Sequence, residues 1–218
     1  MFDTLPEPVR ALLATLTDAG HEAVLVGGCV RDRARGVAIH DWDVATGAPP
    51  EQVLALFPRA VPIGLRFGTV MVPTPSGPVD VTHYRGPTLH EDLARRDFTV
   101  NAVAFDTTTG RVIDPFGGLA DLTAGRLRAV GSPADRLAED PLRALRAARI
   151  VAELGMTLDP ALRDALPGQA EGLAKVAPER IRSELDRLLA APDPAAGIAV
   201  LRGGGLEAAL VPGARPDA

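Results

Sequence analysis

Two aspartates separated by a single residue, Asp41 and Asp43, could together hold metal ions. They lie in a segment with the composition of a β-strand, where side chains at positions i and i+2 point to the same face of a sheet. Two neighbouring carboxylates repel each other, and a pair of divalent cations would compensate their charge. Two such metals, about 3.5–4 Å apart, can activate a hydroxyl group and stabilise a leaving phosphate. Aspartates at this spacing also occur in solvated turns and helix caps, so the pair needs support from its neighbours.

Further features favour phosphate chemistry close to these acids. Asp80 lies between two valines of a predicted strand, and it would complete the acidic cluster if that strand lay beside the first. Gly27 and Gly28 follow a short apolar strand, at a strand-to-helix turn where backbone N–H groups can hold a phosphate. Arg31 follows one helical turn later. Together these residues favour a phosphate-binding site over a solvated turn.

Hydrophobic periodicity predicts the elements that position these residues. Helices are predicted over 8–19, 29–35 and 50–57, and strands over 23–26, 42–45, 69–72 and 79–82. Hairpins are predicted around the turn at 75–77 and over 105–113. Further helices are predicted at 134–138, 141–154, 160–165, 178–190 and 194–201, most of them beginning near a proline. The pattern predicts an α/β domain followed by a small helical one, with a boundary near Gly131.

The composition excludes several classes of protein. The chain has 218 residues, 46% of them hydrophobic, which is enough for one or two compact domains and excludes a disordered or collagen-like chain. No apolar run is long enough for a membrane helix, and the N-terminus has no apolar signal segment, so no membrane partner is expected. The single cysteine predicts a reducing, cytoplasmic location. The net charge of −5 means that any binding of RNA must depend on local basic patches.

Several residues are predicted to have no part in catalysis. Cys29 has no histidine partner in the pattern and is expected to be buried and inert. Trp42, between the two aspartates, should point to the opposite face of its strand and pack in the core. The histidines show no metal-ligand spacing, so a zinc site is not expected; they are His21, His40, His83 and His90.

Five ordered motifs resemble those of the polymerase-β-type nucleotidyltransferases, and in particular of the bacterial class II tRNA nucleotidyltransferases and their poly(A) polymerase relatives. The first combines the Gly-Gly-x-Val-Arg-Asp segment at 27–32 with the aspartate pair. The segment at 95–102 resembles the motif that contacts ribose and triphosphate, and 114–122 resembles the hinge between head and neck. The segment at 139–149 resembles the nucleotide-template helix, and 178–189 resembles the neck helix that supports it.

The resemblance implies an α+β fold, in which a head with a mixed sheet and flanking helices precedes a small all-helical neck. It places the head at 1–130, the neck at 131–190 and the start of a truncated or missing body region at 191–218. Full members continue through larger body and tail regions that grip tRNA. The chain is therefore expected to be a natural short form or a trimmed piece, and a second copy in a homodimer could restore the tRNA-binding surface.

The resemblance also implies a reaction. The 3′-hydroxyl of a tRNA or another RNA would attack the α-phosphorus of a nucleoside triphosphate, and pyrophosphate would leave. Asp41 and Asp43 would be the catalytic residues and would bind two Mg²⁺ ions together with Asp80. Arg96 would reach the triphosphate, with Asp97 and Asn101 near the ribose. The full set of implied nucleotide-binding residues is Gly27, Gly28, Arg31, Asp32, Arg96, Asp97, Asn101, Asp140, Arg143, Arg146 and Arg149.

Asp140 and Arg143 are three residues apart on a predicted helix, so they are expected to share a face. An aspartate can accept the exocyclic amine of cytosine or adenine while an arginine donates to the neighbouring ring atom. In the family such a pair replaces a nucleic-acid template, and Glu139 would support it. Arg146 and Arg149 continue the stripe and resemble residues that contact the nucleotide. Taken alone, the same spacing is typical of salt bridges on an exposed helix face.

The specificity and the activity stay open at this point. Full CCA-adding and A-adding members carry a flexible loop between the strand of the third acid and the Arg-Arg-Asp motif, and here only 86–90 stand in its place. In the family its absence accompanies enzymes that add two cytidines and stop, so CTP is the expected substrate. The alternatives are CCA, A or poly(A) addition with ATP as a substrate, a non-catalytic fragment that binds nucleotide or RNA, and a dinucleotide-binding domain. The last lacks the Gly-x-Gly-x-x-Gly spacing.

Overall fold

A computed structural model describes residues 5–64 and 68–210 of the chain. The described residues form two compact units. The first comprises the chain up to Arg96 together with Val100–Leu119, and the second comprises Asp97–Thr99 together with the chain from Ala120 onward. No helix of the described residues is long and apolar enough to cross a membrane. Residues 211–218, the end of the predicted body region, lie outside the described residues.

The first unit is built on a seven-stranded sheet with the order β3-β4-β5-β2-β1-β6-β7. Strands β2 and β5 pair in parallel and the other neighbours are antiparallel, so the sheet is mixed and the predicted α+β class is confirmed. The strands are β1 (Ala23–Val26), β2 (Trp42–Thr46), β3 (Val61–Gly64), β4 (Thr69–Thr74), β5 (Gly77–His83), β6 (Ala104–Asp106) and β7 (Arg111–Ile113). The helices that accompany the sheet are α1 (Glu7–Asp18), α2 (Gly28–Ala34), α3 (Pro50–Leu56) and α4 (Leu89–Ala94).

The central strands are apolar because both of their faces are covered. All four residues of β1 are buried, and alternate ones belong to two different cores. Leu25 packs with Trp42 and Val44 on one face, whereas Val24 and Val26 pack on the other. The prediction that Trp42 is a core residue is confirmed. Fully burying a side chain such as Leu25 contributes about 1.5–3 kcal/mol to the free energy of folding.

The second unit is mainly helical. After α5 (Gly118–Thr123), where the chain passes from the first unit to the second, its helices are α6 (Pro133–Glu139), α7 (Leu142–Leu154), α8 (Pro160–Ala165), α9 (Ala170–Leu173), α10 (Pro178–Leu189), α11 (Pro194–Gly203) and α12 (Glu207–Leu210). A short parallel pair of β8 (Arg126–Leu127) and β9 (Thr157–Leu158) accompanies them. Gly155, with φ of +65°, ends α7 in the left-handed conformation that glycine adopts without strain.

The predicted helices and strands are confirmed to within two residues at their ends, and several short elements were missed. β3 has the sequence Val-Pro-Ile-Gly and forms the sheet edge, where a proline is tolerated because no neighbour needs its N–H. The helices α4 and α5 have only six residues each, too short for a clear apolar period. The strands β8 and β9 have two residues each and are defined by pairing alone.

Candidate active site

The predicted acids are brought to two neighbouring strands of the first unit. Asp43 of β2 and Asp80 of β5 are register partners across a parallel pair, so their side chains lie on one face of the sheet. Asp41 is exposed and immediately precedes β2. Burial raises the pKa of Asp80, and the negative charge of Asp41 raises it further, which means that these two carboxylates are close enough to repel each other.

The carboxylates of Asp41 and Asp43 suit a hard divalent cation that also binds water and substrate phosphates. Within residues 5–64 and 68–210, no three His, Cys, Asp or Glu side chains converge closely enough to hold a metal ion. Mg²⁺ is usually bound by one or two protein carboxylates, with water and substrate phosphates completing its octahedron. The carboxylates of Asp41 and Asp43 therefore fit Mg²⁺ without a third protein ligand, and Asp80 as a ligand stays a prediction.

A glycine turn brings the site residues of the first unit to one point. Gly27, between β1 and α2, has φ of +71° and ψ of −131°, a conformation almost confined to glycine. A Cβ atom at this position would lie 3.0 Å from Nη1 of Arg96 and 3.8 Å from both Oδ2 of Asp43 and the carbonyl oxygen of Asn101. The missing side chain therefore leaves room for Arg96 on the same side of the turn as Asp43.

Replacing Gly27 with alanine is expected to destabilise the first unit by about 1–3 kcal/mol, because the new Cβ is strained by the backbone and meets Arg96. The free energy of unfolding from chemical denaturation measures this. Gly28→Ala is the matched control, since that residue has no positive φ and its Cβ would meet only Nη2 of Arg31, at an ordinary 3.7 Å. Equal stability losses in the two variants would contradict the role assigned to the Gly27 turn.

Arg31, Asp32 and Asn101 bind one another. Arg31 donates two hydrogen bonds to the carboxylate of Asp32, at 2.9 and 3.0 Å, and its Nη1 donates to Oδ1 of Asn101 at 2.7 Å. The hydrogen bond from Arg31 fixes the amide oxygen of Asn101. The three residues form one linked set at the start of α2.

Arg96 is held by a residue that the sequence analysis missed. Asp92 of α4 accepts hydrogen bonds from Nε and Nη2 of Arg96, at 3.2 and 3.0 Å, and from the backbone N–H and Nε of Arg85. The spacing of Asp92 and Arg96, four residues apart, was an available signal, since such pairs meet on a helix. Arg85 precedes α4, and no spacing in the sequence indicates its contact with Asp92.

The second unit contains a line of ion pairs between α7 and α10. Arg146 bonds to Oδ2 of Asp97 at 2.8 Å and to Glu184 at 3.3 Å. The negative charge of Asp97 raises the pKa of Arg146, burial opposes this, and Glu184 adds to the increase. Arg149 is buried between Glu184, at 2.6 Å, and Glu153. Three predicted nucleotide-binding residues are thus linked. Arg146 bonds directly to Asp97, and Glu184 joins Arg146 to Arg149.

The prediction that Asp140 and Arg143 share a helix face is wrong. Asp140 lies between α6 and α7, with φ of −150° and ψ of 99°. Its successor is Pro141, and a residue that precedes proline is disfavoured in the helical conformation. Oδ1 of Asp140 accepts the backbone N–H of Leu142, the first residue of α7, at 3.2 Å, so the aspartate lies just outside that helix.

Each of the two predicted template residues nevertheless has a fixed partner. Oδ2 of Asp140 accepts a hydrogen bond from Arg180 of α10 at 2.7 Å. Arg143 donates from Nη1 to Glu139, at 2.7 Å, and to the carbonyl oxygen of Arg136. Arg143 thus forms a salt bridge with Glu139, four residues earlier.

Other predicted features have structural roles. The prediction that Cys29 is buried is confirmed, and burial raises the pKa of its thiol to about 12. The segment resembling the hinge is a turn with Gly117 at φ of +74°. In that turn Asp114 accepts the backbone N–H groups of Gly118 and Leu119, at 2.7 and 2.9 Å.

The mixed sheet, the acids on β2 and the Gly27 turn define a nucleotidyltransferase head of the polymerase β type. Residues 23–128 match the family model of the "Poly A polymerase head domain", and residues 155–217 match that of the "Probable RNA and SrmB-binding site of polymerase A". The chain belongs to the family of tRNA nucleotidyltransferases and poly(A) polymerases, of which it contains the head and the segment that follows.

Among similar proteins, the chain is 43% identical over 210 residues to the CCA-adding enzyme of Lactiplantibacillus plantarum, covering 88% of this chain and 51% of the relative. It is 45% identical over 188 residues to the CC-adding tRNA nucleotidyltransferase of Shouchella clausii, covering 86% and 50%. The crystal structure of the Bacillus stearothermophilus CCA-adding enzyme in complex with CTP superposes with a TM-score of 0.89 at 39% identity, covering 96% of this chain and 55% of that one. The chain spans about half the length of the curated relatives it matches.

Proposed function

We propose that the protein is a template-independent tRNA nucleotidyltransferase that adds cytidines to the tRNA 3′ end, with CTP as its substrate. The observation that carries the proposal is the arrangement of Asp43 beside Asp80 on parallel strands, with Arg96 and Gly27 at its side. The names of the relatives support the substrates, because they include a CC-adding tRNA enzyme, CCA-adding enzymes and an enzyme in complex with CTP.

In the proposed mechanism, Asp41 and Asp43 hold Mg²⁺ through their carboxylate oxygens. The metal, when bound, supplies the charge that activates the RNA hydroxyl and stabilises the leaving pyrophosphate. Arg96, whose Nη1 faces the Gly27 turn, binds the triphosphate. Asn101, held by Arg31, lies near the ribose in this mechanism. The 3′-hydroxyl of the RNA attacks the α-phosphorus, and the bond to the β-phosphate oxygen breaks.

We assign the choice of base to the second unit. Asp140, held by Arg180, accepts the amine of cytosine, and Arg143, held by Glu139, donates to the neighbouring ring atom. Contact of Arg146 and Arg149 with the nucleotide stays a prediction. The buried position of Arg149 between two glutamates favours a supporting role for it.

The domain assignment is also a proposal. The head at 1–130, the neck at 131–190 and the body region from 191 agree with a chain that is first sheet-based and then helical.

A second candidate function, full CCA addition, is favoured by relatives that are CCA-adding enzymes at 43% identity. The cytidine-only proposal is favoured by the connection between β5 and α4, which consists of residues 84–88 alone. The decisive assay incubates a tRNA that lacks its 3′ end with each nucleoside triphosphate separately and with CTP and ATP together.

With CTP alone we expect two nucleotides to be added, and with ATP, UTP or GTP none, because only cytosine matches both the template pair and the short connection. Addition of adenosine after the cytidines would replace the cytidine-only proposal with full CCA addition. Nucleotide binding without any product would favour a non-catalytic fragment. The assay is read on sequencing gels at single-nucleotide resolution.

A further inference from the structure

Two arginines of the first unit donate hydrogen bonds to both oxygens of the buried Asp92 carboxylate. Its side chain is 1% exposed, so water contributes little to its hydrogen bonding. Oδ1 accepts from the backbone N–H and Nε of Arg85, at 3.2 and 3.1 Å, and Oδ2 accepts from Nε and Nη2 of Arg96, at 3.2 and 3.0 Å. Neither the motifs of the sequence nor the proposed mechanism assigns a role to this residue.

This contact fixes which edge of Arg96 faces the active site. Two of the three guanidinium nitrogens, Nε and Nη2, are occupied by Asp92. The third, Nη1, lies 3.0 Å from the position of a Cβ on Gly27, and that position is 3.8 Å from Oδ2 of Asp43. An arginine side chain loses much rotamer freedom when it binds an anion, and a bidentate contact made beforehand removes most of that cost.

Arg85 determines the net charge of the group that it forms with Asp92 and Arg96. Burial raises the pKa of Asp92, but Arg96 and Arg85 outweigh it, so the net shift is downward and the carboxylate stays ionised. A single aspartate bound to Arg96 alone would cancel its charge. Because Arg85 shares the same carboxylate, the three groups together keep one positive charge beside the Gly27 turn.

We propose that Asp92 is a positioning residue that presents Nη1 of Arg96 to the triphosphate of the bound nucleotide, and that Arg85 preserves the positive charge for this contact. The proposal rests on the proposed function, since it requires a nucleoside triphosphate at the site. It differs from a merely structural role, in which Asp92 would join α4 to the segment that follows β5 and would affect all ligands equally.

The experiment compares CTP with CMP, which carries the same base and ribose but lacks the β- and γ-phosphates. Dissociation constants of the full chain are measured by isothermal titration calorimetry in the presence of Mg²⁺. In Asp92→Asn we expect CTP affinity to fall about 10-fold or more and CMP affinity to stay within about 2-fold, because a hydrogen bond to a charged group is lost only for the distal phosphates. Asp106→Asn, which removes a charge from an exposed turn of the same unit, should leave both affinities unchanged.

A double-mutant cycle separates positioning from structure. In an Arg96→Gln background, Asp92→Asn should lower CTP affinity no further. Arg85→Gln tests whether Arg85 preserves the positive charge at the site. Because Arg85 is partly exposed, this variant also replaces Asp92→Asn if the latter does not fold. It should lower CTP affinity at least about 3-fold with CMP unchanged, since Asp92 then neutralises Arg96.

Equal losses for CTP and CMP, or a loss that persists in the Arg96→Gln background, would overturn the proposal in favour of a structural role. Wild-type affinity for CTP in Arg85→Gln would overturn it as well. If the wild-type chain bound CTP no better than CMP, the proposed function itself would fail. A wild-type chain that prefers CTP, combined with unaffected variants, would overturn the role of Asp92 alone.

Discussion

Substitution of Asp41 or Asp43 with asparagine is expected to lower CTP incorporation by about 10³-fold or more while leaving the protein folded. A catalytic metal contributes several kcal/mol of transition-state stabilisation, and each 1.36 kcal/mol corresponds to a tenfold change in rate. Asparagine keeps the shape of the side chain but removes the charge that holds the cation. The free energy of unfolding of Asp41→Asn should equal or exceed that of the wild type, because the repulsion between Asp41 and Asp80 is relieved.

Incorporation of radiolabelled CTP into a tRNA that lacks its 3′ end measures the activity, and denaturation followed by circular dichroism measures the stability. Asp18→Asn is the control, since this exposed aspartate ends α1 and has no place in the proposed site. Activity of either active-site variant within tenfold of the wild type would contradict the metal assignment. A large loss of stability would instead show that the acids are needed for folding.

The strands that carry the acids could be predicted because local and tertiary preferences agree there. The segment from Ala23 to Val26 is apolar throughout, and it is buried on both faces in the structure. The alternation around Trp42 likewise gives the right faces for the tryptophan and for Asp43. The register that sets Asp43 opposite Asp80 could not be predicted, because parallel pairing joins strands that are separated by two others in the sequence.

The wrong prediction for Asp140 and the missed role of Asp92 have different physical causes. At Asp140 a helical spacing was interrupted by the following proline, and the local backbone preference overrode the period. Asp92 was missed for the opposite reason, since its importance comes from Arg85 and from the Gly27 turn, which are distant in sequence. Buried carboxylates that hold arginines leave only a weak pattern in a single sequence.

The ion pairs of the second unit show the same limit. Arg146 and Arg149 follow Arg143 at a spacing of three residues, which predicted a stripe facing a nucleotide. In the structure their guanidinium groups are bound by Asp97, Glu184 and Glu153. Glu184, a buried residue of α10, thereby becomes the acceptor for both arginines.

Replacing Glu184 with glutamine is therefore expected to destabilise the second unit by about 3–5 kcal/mol, the usual effect of removing one partner from a buried ion pair. Its side chain is 9% exposed and that of Arg149 is 5% exposed, so the arginine would face a neutral amide in place of a carboxylate, with little water to compensate the lost charge. Urea denaturation followed by circular dichroism measures the effect as a fall in the midpoint of the helical transition.

Glu171→Gln provides the matched control for this prediction. Glu171 makes the same kind of contact, with Lys175 at 2.7 Å, but its side chain is 86% exposed. Solvent-exposed pairs of this type contribute about 0–1 kcal/mol, so the control should shift the midpoint only slightly. Similar midpoints for the two variants would mean that the helix pair does not depend on the buried charges, and that apolar contacts such as that of Leu188 hold α10 in place.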